Sequence, residues 1–308
     1  MNLLITGALG HIGSQLINKI YKLKNLKNVY LVDSARSNNL NVLFNLKKKK
    51  FKIKFFNKDL IDSRFLKSIK KKIHVVVHLA AITNAADSFK NKRIIYSNNY
   101  GIFKNIVKFC IQNNAKLIHI SSTSVYGLSS SLVDESCSNL KPQSPYADEK
   151  LMEEIYLNKN KKKIKFITLR FGTIAGISKG MRFHTAVNKF CFNTILNEEI
   201  PIWSNAIDQY RPYLSLNDAI NVIIFIIKNK IFDNEIYNVL TKNYTVRQIL
   251  DLIKKNNFKI RVKYTNSPIL NQNSYKVSRK KFDKFKVNFS KNINNDIRNT
   301  LNLLKGLS

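Results

Sequence analysis

The chain opens MNLLITGALGHIG, Met1 to Gly13. Asn2 to Thr6 is a short, bounded apolar run, which reads as a buried strand, and the residues from about Ile12 to Lys24 read as a helix. Gly7, Gly10 and Gly13 lie at and just inside that junction. Each has a physical use there. The first permits a tight turn, the second lets the backbone approach a diphosphate, and the third lets helix and strand pack closely. A diphosphate so placed caps a helix amino terminus, where free N–H groups and the positive end of the dipole meet it. Gly7, Gly10, His11, Ile12 and Gly13 are therefore candidate dinucleotide-binding residues. Asp33 ends the next strand, Val29 to Asp33, about twenty residues beyond the last glycine. A carboxylate at that point accepts from both ribose hydroxyls and repels a 2′-phosphate, so NAD is expected over NADP. The nearby Arg36 weakens that preference slightly.

The alternation continues. Phe51 to Phe56 reads as a third strand and His74 to Ala80 as a central one, since a short continuous apolar run suits a strand covered on both faces. A helix is expected from about Ile94 to Asn113, strands at Lys116 to Ser121 and Ile164 to Arg170, and between them a helix carrying Tyr146. Repeated βα units with right-handed crossovers predict an α/β fold with a doubly wound parallel sheet. After Arg170 the rhythm changes: Gly176 and Gly180 are followed by a helical stretch, Pro201 and the lone Trp203. The expected organisation is a nucleotide-binding domain of residues 1–172 plus about 207–240. A smaller α/β substrate lobe would comprise about 173–206 plus 241–308.

A second informative stretch runs from Ser121 to Lys150 and contains SSTSVYG and SPYADEK. Tyr146 and Lys150 are four apart and share one helix face. A nearby ammonium favours the phenolate, which makes Tyr146 a candidate proton acceptor with Lys150 as its tuner. Ser122 ends the apolar run LIHIS, and the carboxyl end of such a strand is where open α/β sheets place their chemistry. The plain alternative is a surface tyrosine and lysine on an amphipathic helix. The company of the glycine loop argues against it.

Composition bounds the rest. The 308 residues suffice for a sizeable core, and Cys110, Cys137 and Cys191 offer neither a disulfide framework nor a metal-ligand cluster. No apolar run approaches a membrane span, and the amino terminus enters a strand directly, so a cytoplasmic location is expected. The formal charge of +34 invites a nucleic-acid reading. Lysine tracts without interleaved aromatics, alongside abundant asparagine and isoleucine, instead suggest a compositional bias, and no nucleic-acid partner is expected.

Taken in order, GALGHIG, Asp33, Asp59-Leu60, HLAA at His78 to Ala81, Asn98 with Gly101, SSTSVYG, PYADEK, LRFGTIAG and RPYLSLNDA resemble the extended short-chain dehydrogenase/reductase family. Within it, they resemble the NAD-dependent nucleotide-sugar epimerases and dehydratases. The resemblance implies a Rossmann-like fold and NAD as cofactor. It places Asp59 and Leu60 by the adenine, Leu79, Ala80 and Ala81 along the diphosphate and nicotinamide ribose, and Asn98 in the helix behind the site. Lys150 would also bind the nicotinamide ribose, and Arg211 a substrate phosphate. It further implies a nucleotide-diphosphate sugar as substrate, a homodimer, and surface polysaccharide or lipopolysaccharide assembly as the setting. His78 is expected to be a packed core residue.

The implied chemistry is transient hydride transfer from the sugar to NAD while Tyr146 removes the hydroxyl proton and Ser122 steadies the forming alkoxide. Re-reduction of the 4-keto sugar from its other face gives epimerisation, and loss of water gives a 4,6-dehydratase. Family dehydratases generally carry Asp-Glu or Ser-Glu after the active-site hydroxyl, where this chain has Thr123 and Ser124. That favours a UDP-galactose 4-epimerase-like enzyme, with a dehydratase, a 4-ketoreductase or a non-catalytic NAD-binding protein as alternatives. Thr173 stands where many epimerases carry asparagine, and Arg182 is a candidate second partner for substrate phosphate.

Overall fold

In the computed structural model, residues 1–44, 46, 51–83, 88–89, 92–127, 129, 132–266 and 275–307 are described. Strands β1 (Asn2–Thr6), β2 (Asn28–Asp33), β3 (Lys52–Asn57), β4 (Val75–His78) and β5 (Lys116–Ser122) come first. They are followed by β6 (Leu132–Val133), β7 (Phe166–Phe171), β8 (Thr173–Ala175), β9 (Glu199–Trp203), β10 (Tyr210–Ser215) and β11 (Ile236–Val239). The last are β12 (Lys242–Thr245), β13 (Arg261–Thr265) and β14 (Lys276–Val277).

Seven strands form one sheet in the order β11-β7-β5-β4-β1-β2-β3, and every neighbouring pair is parallel. This is the doubly wound Rossmann-like sheet that the alternation predicted. The chain leaves β1 towards β2 and β3 on one side and returns through β4 to the other. That reversal opens a crevice at the carboxyl ends of β1 and β4. β1, β4 and β7 are buried along their whole length, as befits strands covered by helices on both faces. On one face Leu16, Ile17 and Ile20 pack with Ile220, Ile223 and Ile227 of the helix Leu216–Asn229. On the other, Phe103, Ile106, Val107 and Cys110 of the helix Gly101–Asn113 cover Leu4, Val76 and Leu117. Each fully buried side chain of this size contributes about 1.5–3 kcal/mol.

Two expectations need correction. The helix drawn from Ile94 to Asn113 is broken: residues Tyr96–Tyr100 form a π-type turn ahead of Gly101–Asn113. The turn points Asn99 inward, where its side chain pairs with both the N–H and the carbonyl of Ile82. Near 207–240, only β11 joins the seven-stranded sheet. β10 lies in a separate three-stranded sheet, parallel to β8 and antiparallel to β12. An apolar run reads the same in either sheet, so its own residues do not choose between them.

Residues from 175–202, Tyr213, 244–253 and 293–304 form another core, built on Val187, Cys191, Ile200, Ile249, Ile253 and Ile297. It closes the crevice from above. No helix among the described residues is long and apolar enough to cross a membrane.

Candidate active site

A cavity of about 600 Å³ occupies the crevice. Gly7, Gly10, His11, Ile12, Gly13, Leu79, Ala80, Ala81, Ser122, Tyr146, Lys150, Thr173, Arg182 and Arg211 all line it. Asp33, Asp59, Leu60 and Asn98 do not; Asp33 bonds the glycine loop and Arg36 joins Asp59 to Asn98, at the end of the cleft where the resemblance expects adenosine.

At that end the glycine loop leaves β1 with Gly7 at φ +64, and a Cβ on Gly7 would come within 2.6 Å of the backbone of Leu79 and Ala80. The Asp33 carboxylate accepts from the Leu9 N–H at 2.9 Å and the Ala35 N–H at 2.9 Å, which fixes the loop to the end of β2. Arg36 donates to Asp59 at 2.6 Å and to Asn98 at 3.1 Å. Its guanidinium is therefore committed to a carboxylate rather than presented as a 2′-phosphate site, which strengthens the preference for NAD. His11 opens the helix His11–Lys19; burial pulls its imidazole down to about 4, so it is neutral, and its Nε2 has no protein partner. A close-approach glycine loop, a helix amino terminus and a carboxylate on the second strand fit a dinucleotide. NAD could be held by Gly7 to Gly13, Asp33 and Leu79 to Ala81.

The reacting end is built by β5 and the helix Pro145–Asn160. Ser144 caps that helix, accepting from the Ala147 N–H at 3.2 Å with Pro145 in the first turn, so Tyr146 stands at the helix mouth and lines the same cavity as Ser122. Ser122 Oγ accepts from the Ser124 N–H at 3.2 Å and from the Ser124 hydroxyl at 2.8 Å, which leaves its own proton to donate. Lys150 Nζ lies 5.9 Å from the Tyr146 ring centre. The expected depression of the phenol does not occur here. Burial raises Tyr146 above its ordinary value, and the pull of Lys150 opposes this without overcoming it.

Two carboxyls beneath Lys150, which the sequence reading passed over, add to the effect of burial. Nζ donates to Glu153 Oε2 at 2.6 Å and stands 3.8 Å from Glu149 Oε2, all three side chains being buried. His119 Nε2 meets the same Glu153 oxygen at 2.9 Å, and its Nδ1 meets Thr168 Oγ1 at 3.1 Å. Burial and the Lys150 charge pull His119 down to about 3, so it is neutral and gives Glu153 a hydrogen bond rather than an ion pair. Burial, with Glu153, pushes Glu149 up to about 9. Burial raises Glu153 as well, opposed by the Lys150 charge and by its hydrogen bonds to Glu149 and Lys150, so the group at neutral pH is a Lys150 ammonium among buried carboxyls of which Glu149 keeps its proton. Glu154 is separate, bound at 2.7 Å to Arg170 and at 2.6 Å to Ser121. One signal was present: Glu149 and Glu153 are four apart on the helix that carries Lys150. His78 is buried, bonded to Thr6 Oγ1 at 2.7 Å, as expected of a packed histidine, though its ring also touches the cavity.

The far end is closed by Phe190, Trp203, Tyr213 and Tyr275, with the Arg211 guanidinium 5.0 Å from the Tyr275 ring centre and Lys189 alongside. Thr123 turns its hydroxyl to the Phe171 carbonyl at 3.3 Å. Among the described residues no Asp or Glu lines the cavity, and none forms a metal-ligand group of three or more.

The profile of the NAD dependent epimerase/dehydratase family matches residues 3–239. ADP-L-glycero-D-manno-heptose-6-epimerase of Brachyspira hyodysenteriae is 26% identical over 235 residues, covering 74% of this chain and 72% of the relative. dTDP-D-glucose 4,6-dehydratase of Dictyostelium discoideum is 28% identical over 277 residues, covering 82% of this chain and 61% of the relative. Among solved structures, UDP-glucuronic acid 4-epimerase from Bacillus cereus, in complex with UDP-glucuronic acid and NAD, superposes with a TM-score of 0.89 at 23% identity over 100% of both chains. At that identity the likeness is one of fold.

Proposed function

The chain belongs to the NAD-dependent epimerase/dehydratase family, and from that premise we propose that it is a nucleotide-sugar 4-epimerase acting through a 4-keto intermediate. The observation that carries this reading is the make-up of the cavity. It joins a phenol, a hydroxyl and a lysine at one end to Arg211 at the other, with no carboxylate among the described lining residues. Eliminating water across C5 and C6 needs an added acid and base at that bond. Thr123, bonded to Phe171, and Ser124, bonded to Ser122, supply neither.

In this mechanism Tyr146 Oη takes the proton of the sugar 4-hydroxyl. Ser122 Oγ donates to the same oxygen, stabilising the charge that develops there. When bound, NAD supplies the acceptor for the hydrogen on the sugar carbon and a positive charge beside the phenol. That charge acts in the same direction as Lys150, against the burial that holds the Tyr146 proton. Arg211 holds a substrate phosphate while the keto sugar turns, and Tyr146 then returns the proton. Lys150 would bond the cofactor's ribose, with its Nζ held by Glu153. We further propose a substrate lobe of about 173–206 plus 241–308, and a homodimer through the helices Gly101–Asn113 and Pro145–Asn160.

The test is a measurement of bound cofactor in the purified protein, followed by incubation with UDP-glucose and UDP-galactose. Retained NAD with interconversion and no net NADH supports the epimerase. A 4-keto-6-deoxy product from another sugar nucleotide makes it a dehydratase, and stoichiometric consumption of NADH makes it a reductase.

A further inference from the structure

Between β8 and the helix Ala186–Ile195 the chain crosses the glycine loop, and five hydrogen bonds tie it down. Ser178 Oγ meets His11 Nδ1 at 3.1 Å. Lys179 Nζ donates to the carbonyls of Asn41 and Phe44 at 3.2 and 3.1 Å, on the adenosine side. The Gly180 N–H donates to Ser14 Oγ at 3.1 Å. Arg182 Nη1 donates to Thr83 Oγ1 at 2.5 Å. The crossing is too close for any side chain at position 180, where a Cβ would collide with the backbone of Leu9 and Gly10.

Arg182 is half-buried, and among the described residues no carboxylate lies within ion-pair distance of it, though the charge of Asp33 reaches it. Its Nη2 lies 3.6 Å from the place a Cβ on Gly10 would take. Gly10 is the position whose missing side chain lets a diphosphate approach the backbone. A planar guanidinium without a counter-ion, facing that position, is matched to phosphate oxygens. The sequence had put Arg182 on the substrate side. Its charge reaches Asp33 on one side and Tyr146 on the other, and its approach to Gly10 is the contact that bears on the cofactor.

We propose that Ser178–Arg182 is a strap across the cofactor's diphosphate, with Arg182 as the cation that meets it, so that NAD stays bound through successive turnovers. The inference rests on the proposed function in taking the dinucleotide to be NAD and the hydrogen to return to the substrate it came from. An enzyme that returns hydrogen to the substrate it came from has reason to keep its cofactor, and a strap fastened on both sides of the glycine loop does so.

The experiment compares wild type with Arg182→Gln, Arg182→Lys and Lys179→Ala. NAD released on denaturation is measured by chromatography, and the rate of release from the native protein by transfer to a trapping dehydrogenase. Loss of one charge-assisted pair predicts NAD affinity weaker by roughly tenfold to a hundredfold in Arg182→Gln. Arg182→Lys should keep part of it. Lys179→Ala, an exposed change away from the diphosphate, should release NAD faster than wild type. Substrate KM, measured with NAD saturating, should not follow these losses. If Arg182→Gln keeps its NAD while substrate KM rises, the arginine serves a substrate phosphate and the strap is wrong. Wild-type release rates in both Arg182→Gln and Lys179→Ala would overturn it as well. A wild-type protein that neither carries nor binds NAD would refute the cofactor reading itself, a separate result.

Discussion

Replacing Glu149 with glutamine isolates the proton stored beside Lys150. Glu149 is fully buried, and burial, reinforced by Glu153, pushes its carboxyl up to about 9. An unfolded glutamate titrates near about 4.3. Between those values the folded protein holds a proton that the unfolded chain has released. The unfolded state then binds fewer protons, so stability falls as pH rises, by about 1.4 kcal/mol per pH unit. This contribution is complete at pH values below the unfolded pKa and lost once pH passes the folded one. Glutamine has the shape of the neutral acid and takes up no proton. The stability of Glu149→Gln relative to wild type should therefore grow by about 3 kcal/mol between roughly pH 6 and 8. Urea unfolding at constant ionic strength, followed by circular dichroism, measures it, and titrating groups remote from Glu149 cancel in the difference. Parallel stability curves would mean that Glu149 is ionised in the fold and that Lys150 is shared between two carboxylates. The stored proton would then not exist.

Three further changes test other parts of the site. Tyr146→Phe should lower kcat by roughly 10²–10⁴ while leaving bound NAD and the unfolding midpoint unchanged, as expected for loss of a proton-transfer group. Asp59→Asn frees Arg36 from its 2.6 Å partner; binding of NADP, measured by fluorescence quenching, should tighten by about an order of magnitude. Stability should change by no more than about 1 kcal/mol, because that pair is exposed. Ile94 and Ile155 stay 53% and 48% exposed; Ile155→Asp should give a monomer by light scattering if the two helices carry a dimer, and no change otherwise.

The parts of the molecule that were legible in sequence are those whose partners lie close along the chain. The glycine loop, its strand and its helix fall within twenty residues, and Tyr146 meets Lys150 one turn on. Residue type and spacing suffice there, because local geometry brings the groups together. The alternation of strands and helices extended this to the sheet, since handedness and burial leave few ways to stack βα units. Where two arrangements bury an apolar run equally well, as for β10, the run itself carried no preference. The π-turn at Tyr96–Tyr100 was hidden for a related reason: it keeps the apolar face of the helix and shifts only the asparagines.

The misjudged phenol shows what local reading omits. Lys150 was taken as a charge acting on Tyr146, which is correct at the level of one helix face. A lysine buried beneath a parallel sheet cannot remain an uncompensated charge, since leaving one without a partner costs about 3–5 kcal/mol. A counter-charge therefore had to lie nearby, and the same helix offered Glu149 and Glu153. The carboxyls that keep Lys150 charged in the core, Glu153 at 2.6 Å among them, add a field at Tyr146 that opposes that of Lys150. The phenol is left with burial as its dominant influence in the empty site. Its proton becomes easier to remove when a cation is brought to the other side of the ring. On the proposed mechanism, the reactivity of Tyr146 would then depend on an occupied cofactor cleft, and Glu153 would be the residue that keeps Lys150 charged while buried.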